Sequence, residues 1–371
     1  METKEKGSRT PLKVRAIAAL IILILIFAVC FFYRSALAGV FYGLRDFFKG
    51  SRQADELSYS NYLNSSYTGL NNGIAITSSR GIQVISAGGE QMFYDNFEMT
   101  SPGADISGER AAAFDIGGNI VKVFSNKEVL YTVETQAPVI SASVNGSGWA
   151  AVCTQCEGYK GLVTVYNASG KVVYEWFSGE AYVAMADISE DSKTIAVLGM
   201  TESGSRIVFF DLGSEGEKGR CDIADDVIIE IGFEKKDRVA AISAKKLLSV
   251  STSGDIKKQY DFGTEYLRSY RLGDDGIHLL ILSDYQVGGG CDAVCIRNGK
   301  ETGRAENLPE PEKISLRGGQ YALLSNQSVT VYSKSGKVKS TFDNISGAED
   351  IILNEHGTVT VAKAYSAIVL R

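Results

Sequence analysis

Histidine is scarce in this 371-residue chain, which holds only His278 and His356. A zinc site built on the Cys153-x-x-Cys156 pair would need two further ligands, and two scattered histidines do not supply them. No cysteines are adjacent, which removes the vicinal pair used by catalytic quinoproteins. There is no GxSxG nucleophile turn, no GxxxxGK[ST] phosphate loop, no HExxH helix and no DxDxDG calcium loop, so the common hydrolase, nucleotide and metal signatures are missing. Beyond about residue 55 there is no long amphipathic helix. Basic charge is also short there: residues 54–371 carry 29 Lys and Arg against 41 Asp and Glu, a balance of −12. Nucleic-acid binding needs a basic face that releases counterions, so it is excluded as the role of this region.

One long hydrophobic run is present. AIAALIILILIFAVCFFY, Ala16 to Tyr33, has 18 residues without a charge and lies between Arg15 and Arg34. That length predicts a bilayer-spanning helix. Lys4, Lys6, Arg9, Lys13 and Arg15 precede it against two acids, which places the N-terminus inside. The expected layout is a cytoplasmic tail (1–15), a transmembrane helix (16–38), a juxtamembrane linker (39–53) rich in Phe and Tyr, and an extracytoplasmic domain (54–371). Ala36-Leu37-Ala38 also fits a signal-peptidase site, so a cleaved leader is the alternative.

The remaining sequence repeats. A short strand, a polar turn and a strongly apolar strand recur eight times, with turns near 72, 108, 146, 190, 235, 274, 318 and 355. ADISGERAAAF, ADISEDSKTIAVL and ISLRGGQYALL are three copies. A second strand-turn-strand element follows each of the first seven, as in VTVYNASGKVVYEW and VTVYSKSGKVKSTF. Each repeat is therefore four strands in about 40 residues, the period of a β-propeller blade. The eighth copy ends one strand short at SAIVLR. Residues 54–61, ADELSYSN, are expected to pair as its outer strand and remove an exposed edge. The predicted fold is all-β, an eight-bladed β-propeller, with seven blades as the alternative.

This arrangement resembles the WD40-like and pyrroloquinoline-quinone-like (PQQ-like) propeller superfamily, and in particular a clostridial, membrane-anchored domain-of-unknown-function family of the 5711 type. The resemblance implies a fold and an anchor but no reaction. Classical WD dipeptides are absent. Trp176 ends a turn that resembles the quinoprotein docking turn, but only one blade carries it, while others end in Tyr94, Phe262 or Phe342. Aromatic packing between blades is the better reading of Trp176.

Other candidates reduce to structure. Cys153/Cys156 and Cys291/Cys295 are three or four residues apart, roughly 10–13 Å along a strand and beyond the approximately 7 Å reach of a disulfide. With Cys221 left over, free thiols are expected. Gly288-Gly289-Gly290 lacks the helix of a dinucleotide site and reads as a hairpin. The acidic pairs Glu190-Asp191, Asp225-Asp226 and Asp274-Asp275 read as solvated turns, because nothing in the sequence brings them face to face. The N-x-[ST] sequences at Asn64, Asn145, Asn167, Asn326 and Asn344 read as turn composition. No catalytic, cofactor-binding or metal-binding residue is assigned, and no cofactor is expected. The expected role is a binding or scaffolding module of the cell envelope, without catalysis. Its partner would be an envelope protein or cell-wall polymer, and its contact with the membrane the N-terminal helix. A small-ligand receptor or enzyme, with a site assembled in the propeller channel from several blades, is the alternative.

Overall fold

The computed structural model describes residues 56–58, 65–70, 73–86, 90–273, 275–354 and 357–371. The tail, transmembrane helix and linker expected over 1–53 lie outside the described residues, as do Asn64, Asp274 and His356. Among the described residues no helix is long and apolar enough to cross a membrane.

The described residues form 32 strands in eight four-stranded antiparallel sheets. The innermost strands are β2 (Ser66–Leu70), β6 (Pro102–Ser107), β10 (Val139–Val144), β14 (Tyr182–Ile188), β18 (Ile228–Lys235), β22 (Tyr266–Arg271), β26 (Lys313–Arg317) and β30 (Ala348–Leu353). Seven sheets use four consecutive strands. The eighth takes three from the C-terminal part of the chain, ending with β32 (Ser366–Leu370), and its outer strand β1 (Glu56–Ser58) from the N-terminal part. Leu57 pairs with Ala367, flanked by Glu56 with Ile368 and Ser58 with Ser366. The expected eight blades and the expected strand exchange are both present. Strand β2 touches β6 on one side and β30 on the other, so the sheets form a closed ring.

Burial explains the pattern of residues along each blade. The two middle strands are covered on both faces by neighbouring blades, so they read as nearly continuous apolar runs. In β23 (Ile277–Ser283) all seven residues are buried, and each fully buried Leu or Ile there contributes about 1.5–3 kcal/mol. Outer strands have solvent on one side: in β21 (Ile256–Asp261) only Tyr260 is partly covered. Apolar clusters lie between blades rather than within them. Ala240, Ile242 and Leu247 of blade 5 pack against Leu280, Leu282 and Val294 of blade 6. Trp176 of blade 3 meets Phe210 of blade 4 at 4.9 Å between ring centroids, which is the inter-blade packing its position suggested.

The turn between third and fourth strands carries a fixed local device. In blade 3 the Asn167 amide donates to the Lys171 carbonyl and Gly170 N–H donates back to Asn167. In blades 1 to 7 the register of the outermost pair shifts beside this turn. Such a bulge adds twist, and each blade must twist to lie flat against the next.

Candidate functional site: the central channel

Propeller blades present their inner strands to the axis, so residues far apart in sequence converge there. Strands β6, β10, β14 and β18, with the turn after β22, wall a cavity of about 600 Å³. Strands β2, β6, β22, β26 and β30 wall a second cavity of about 460 Å³. Asp105 and Ile106 border both, which makes the two cavities neighbouring halves of one channel.

The first half is acidic. Asp105 on β6, Asp187 on β14 and Glu230 on β18 line it. Two of them also tie adjacent blades together. Val144 N–H of blade 3 donates to Asp105 Oδ2 at 2.8 Å. Phe233 N–H of blade 5 donates to Asp187 Oδ2 at 2.7 Å, while Ile188 N–H donates to Oδ1 at 2.8 Å. The inner edge of each sheet has backbone amides without a strand partner, and an aspartate from the preceding inner strand meets that need. Glu230 accepts from the Tyr270 hydroxyl at 2.9 Å. None of the three carboxylates has a cationic partner among the described ion pairs.

Their electrostatics follow from this geometry. Burial pushes the Asp105 carboxyl up to about 6, against the lowering effect of the Val144 and Ile106 amides. Burial, and then the charge of Asp105, pushes Asp187 up to about 7. The side chains are partly exposed, but to the channel rather than to open solvent. The second half differs in sign, with Arg271 and Arg317 beside Asp350. Burial raises the Asp350 carboxyl, while Lys313 and Arg271 oppose the rise.

A serine, a histidine and a carboxylate do meet elsewhere, between blades 5 and 6. The Ser249 hydroxyl donates to Glu234 Oε1, and His278 Nε2 lies 3.1 Å from Glu234 Oε2. Gly273 N–H donates to His278 Nδ1 at 3.3 Å, so the ring proton sits on Nε2 and points at the glutamate. The glutamate separates serine from histidine, so His278 cannot take the proton of Ser249 as a nucleophile's base would. All three are buried, and Arg238 approaches Glu234 at 3.7 Å. This is a sealed structural network.

The cysteines occupy separate places. Cys153, Cys156, Cys221, Cys291 and Cys295 are all free thiols, as expected. Burial pushes Cys153 and Cys295 up to about 12, which leaves them inert. Cys156 instead borders an aromatic shelf on the ring face formed by the turns between second and third strands. Tyr159 and Phe177 lie 5.1 Å apart there, and Lys160 Nζ stands 5.0 Å over the exposed ring of Tyr182. Tyr159, Lys160 and Tyr182, with Pro138, edge a cavity of about 560 Å³.

The reading of the acidic turns needs correction. Asp226 is 7 % exposed and pairs with Lys246 at 3.4 Å rather than pointing into solvent. Glu190 and Asp275, though on turns of different blades, both reach the rim of the acidic cavity, because turns that follow inner strands crowd around the axis. Asn145 is buried and donates to the Ser189 carbonyl of the next blade, so it serves the blade seam. Asp105, Asp187 and Glu230 were not singled out from sequence. One signal was available: Ala-Asp-Ile-Ser occurs twice, at 104–107 and 186–189, at the same point of two repeats.

A closed ring of eight four-stranded blades around a lined channel defines an eight-bladed β-propeller. Within that class the chain belongs to a family of unknown function, DUF5711, whose model matches residues 45–366. Among solved structures it is similar to the C-terminal WD40 domain of Sif2, at 12 % identity and a TM-score of 0.61 over 86 % of this chain and 97 % of that one. It is also similar to BamB from Moraxella catarrhalis, at 14 % identity and a TM-score of 0.51 over 86 % and 97 %. AztD from Citrobacter koseri aligns at 12 % identity with a TM-score of 0.52, over 76 % and 86 %. At these identities the likeness is one of fold. Comparison with curated protein sequences finds no match.

Proposed function

We propose that this protein is a binding module rather than an enzyme, anchored in the cell membrane through residues 16–38 with its propeller outside the cytoplasm, and that it takes a small ligand into the channel. The observation that carries the reading is the convergence of ionisable side chains from separate blades on one cavity of about 600 Å³. Ligand sites are concave, of this size, and carry a few polar groups on otherwise apolar walls. The anchor rests on the charge-free run and the basic residues before it.

The test exploits Gly232, which lines the cavity and where an added Cβ would meet only Leu272 Cδ1, at 4.0 Å. The first carbon of a side chain at Gly232→Leu therefore meets no obstruction, and the remaining three are added to narrow the cavity. Small molecules carried through purification of the full-length chain are identified by native mass spectrometry, in wild type and in the filled variant. A species bound by wild type and lost from the variant supports the reading. Equal recovery from both refutes it. Protease shaving of intact cells tests the location: cleavage within 54–371 is expected, and full protection refutes the extracytoplasmic placement.

A second reading, a scaffold docking an envelope protein or cell-wall polymer, is favoured by the exposed aromatic shelf of Tyr159, Phe177 and Tyr182. Tyr159→Ala with Tyr182→Ala would abolish such docking and leave channel occupancy unchanged.

A further inference from the structure

We propose that the acidic half of the channel is a site for a small organic polycation, an aliphatic polyamine by chemical class. This rests on the channel-binding reading above and names its ligand chemistry.

The first ground is uncompensated charge. Asp105, Asp187 and Glu230 come from three blades, face one cavity and take hydrogen bonds only from backbone amides and a tyrosine hydroxyl. In another place a cluster of carboxylates is matched by a cation: Arg304 alone contacts Glu265, Asp292 and Glu301. Buried charges are normally paired, so three that share a cavity without a cation mark where one is to be supplied.

The second ground is independent of the acids. Ser143, on β10 between the blades that supply Asp105 and Asp187, lines the same cavity, is 6 % exposed, and its hydroxyl has no hydrogen-bond partner. A buried polar group without a partner is costly and calls for one. An ammonium carries three donors, and the hydroxyl can accept one of them.

The shape of the site selects among cations. No group of three or more His, Cys, Asp or Glu among the described residues is arranged to hold a metal ion. A point cation would thus leave part of the acidic charge unanswered. A chain of ammonium groups separated by methylenes can reach each carboxylate in turn and lay its carbons on Val144, Met185 and Phe233, which wall the same cavity. Arg271 borders the other half of the channel and opposes entry of a second cation. At the rim, the exposed Lys235 and Lys236 offset Glu190 and Asp275, so the attraction is concentrated inside.

Binding of a cation favours ionised carboxylates. Asp105 and Asp187 titrate at about 6 and about 7, so occupancy must expel protons from them. The amines themselves remain largely charged through pH 8. Affinity should therefore rise between pH 6 and pH 8.

The experiment is calorimetric titration of spermidine into the full-length chain, in two buffers of different ionisation enthalpy and at both pH values. Saturable binding to one site is expected, with proton release and tighter binding at pH 8. Asp105→Asn with Asp187→Asn should weaken it at least tenfold. Asparagine keeps one oxygen for the Val144 or Phe233 amide, though at 187 not also for Ile188 N–H, and a single cooperative melting transition certifies the fold. Glu98→Gln, on the exposed surface, should change nothing. Absence of saturable binding overturns the assignment, as does binding that the double variant leaves intact. If spermidine does not bind but Gly232→Leu still expels another molecule, only the polyamine class falls. If neither occurs, the channel reading falls with it.

Discussion

Replacing Gly336 with alanine separates two contributions to blade packing. Gly336 lies in the outer hairpin of blade 7 with φ of +79°, and an added Cβ would stand 2.2 Å from the Arg304 carbonyl oxygen and 2.6 Å from its carbon. These atoms belong to the backbone of the outer strand of blade 6, so no rotamer change relieves the overlap. The left-handed conformation alone costs an L-residue about 1–2 kcal/mol. Forcing two close-packed strands apart adds about 1–3 kcal/mol. Gly216, in the corresponding turn of blade 4, has φ of +89° and no atom within 4 Å of an added Cβ. Gly216→Ala should lose only the first amount, about 1–2 kcal/mol, and Gly336→Ala about 2–5 kcal/mol. Equilibrium urea unfolding, followed by far-ultraviolet circular dichroism with Trp149 and Trp176 fluorescence as a second probe, measures both. Equal losses at the two positions would refute the claim that blades 6 and 7 meet backbone to backbone at the Gly336 turn.

Three further outcomes are expected. Asp187 has a carboxyl raised above its unfolded value, so the native state binds more protons between about pH 4 and about pH 7 and its stability declines across that window. Asp187→Asn should flatten that decline, while at pH 8 the relief of about 1.4 kcal/mol per pKa unit is offset by about 1–3 kcal/mol because one of the Phe233 and Ile188 amides loses its acceptor. A melting profile against pH checks the sign. Glu234 has the opposite behaviour: its carboxyl is held below the ordinary value because hydrogen bonds from His278 and Ser249 outweigh burial, so its contribution is full above about pH 4.5 and lost on further acidification. His278→Leu removes one of those partners from a buried charge and should cost about 2–4 kcal/mol in urea unfolding at pH 7, partly recovered by adding Glu234→Leu. Deleting residues 56–58 should bare the edge of β32 and produce self-association in size-exclusion chromatography with light scattering; a stable monomer with native melting would contradict the role of that strand.

The blades were legible because period and turn chemistry are local. Strand lengths, the glycine or asparagine of the outer hairpins, and the missing strand after SAIVLR all follow from residues within one repeat. The channel was not legible, because alternation along a strand does not say which inner-strand residue faces the axis and which faces the next blade. Asp105 and Asp187 do both, as their carboxylates reach a neighbour's amide from a position that also lines the cavity. The burial of Asp226 was hidden for a similar reason: Lys246, its partner, arrives from the following blade. Glu234 and His278 are 44 residues apart, and only the stacking of blades 5 and 6 joins them.

The exchange of β1 into the last sheet also sets an order of events during synthesis. Strand β1 leaves the ribosome before every other element of the wheel, and its partner β32 after all of them. The nascent chain therefore cannot latch as it emerges and must wait as an arc with one raw edge. A premature stop that removes only the final hairpin would not yield a smaller wheel. It would leave the earliest strand without a mate and the arc permanently open, so any quality control acting on the new chain has a single late event to inspect.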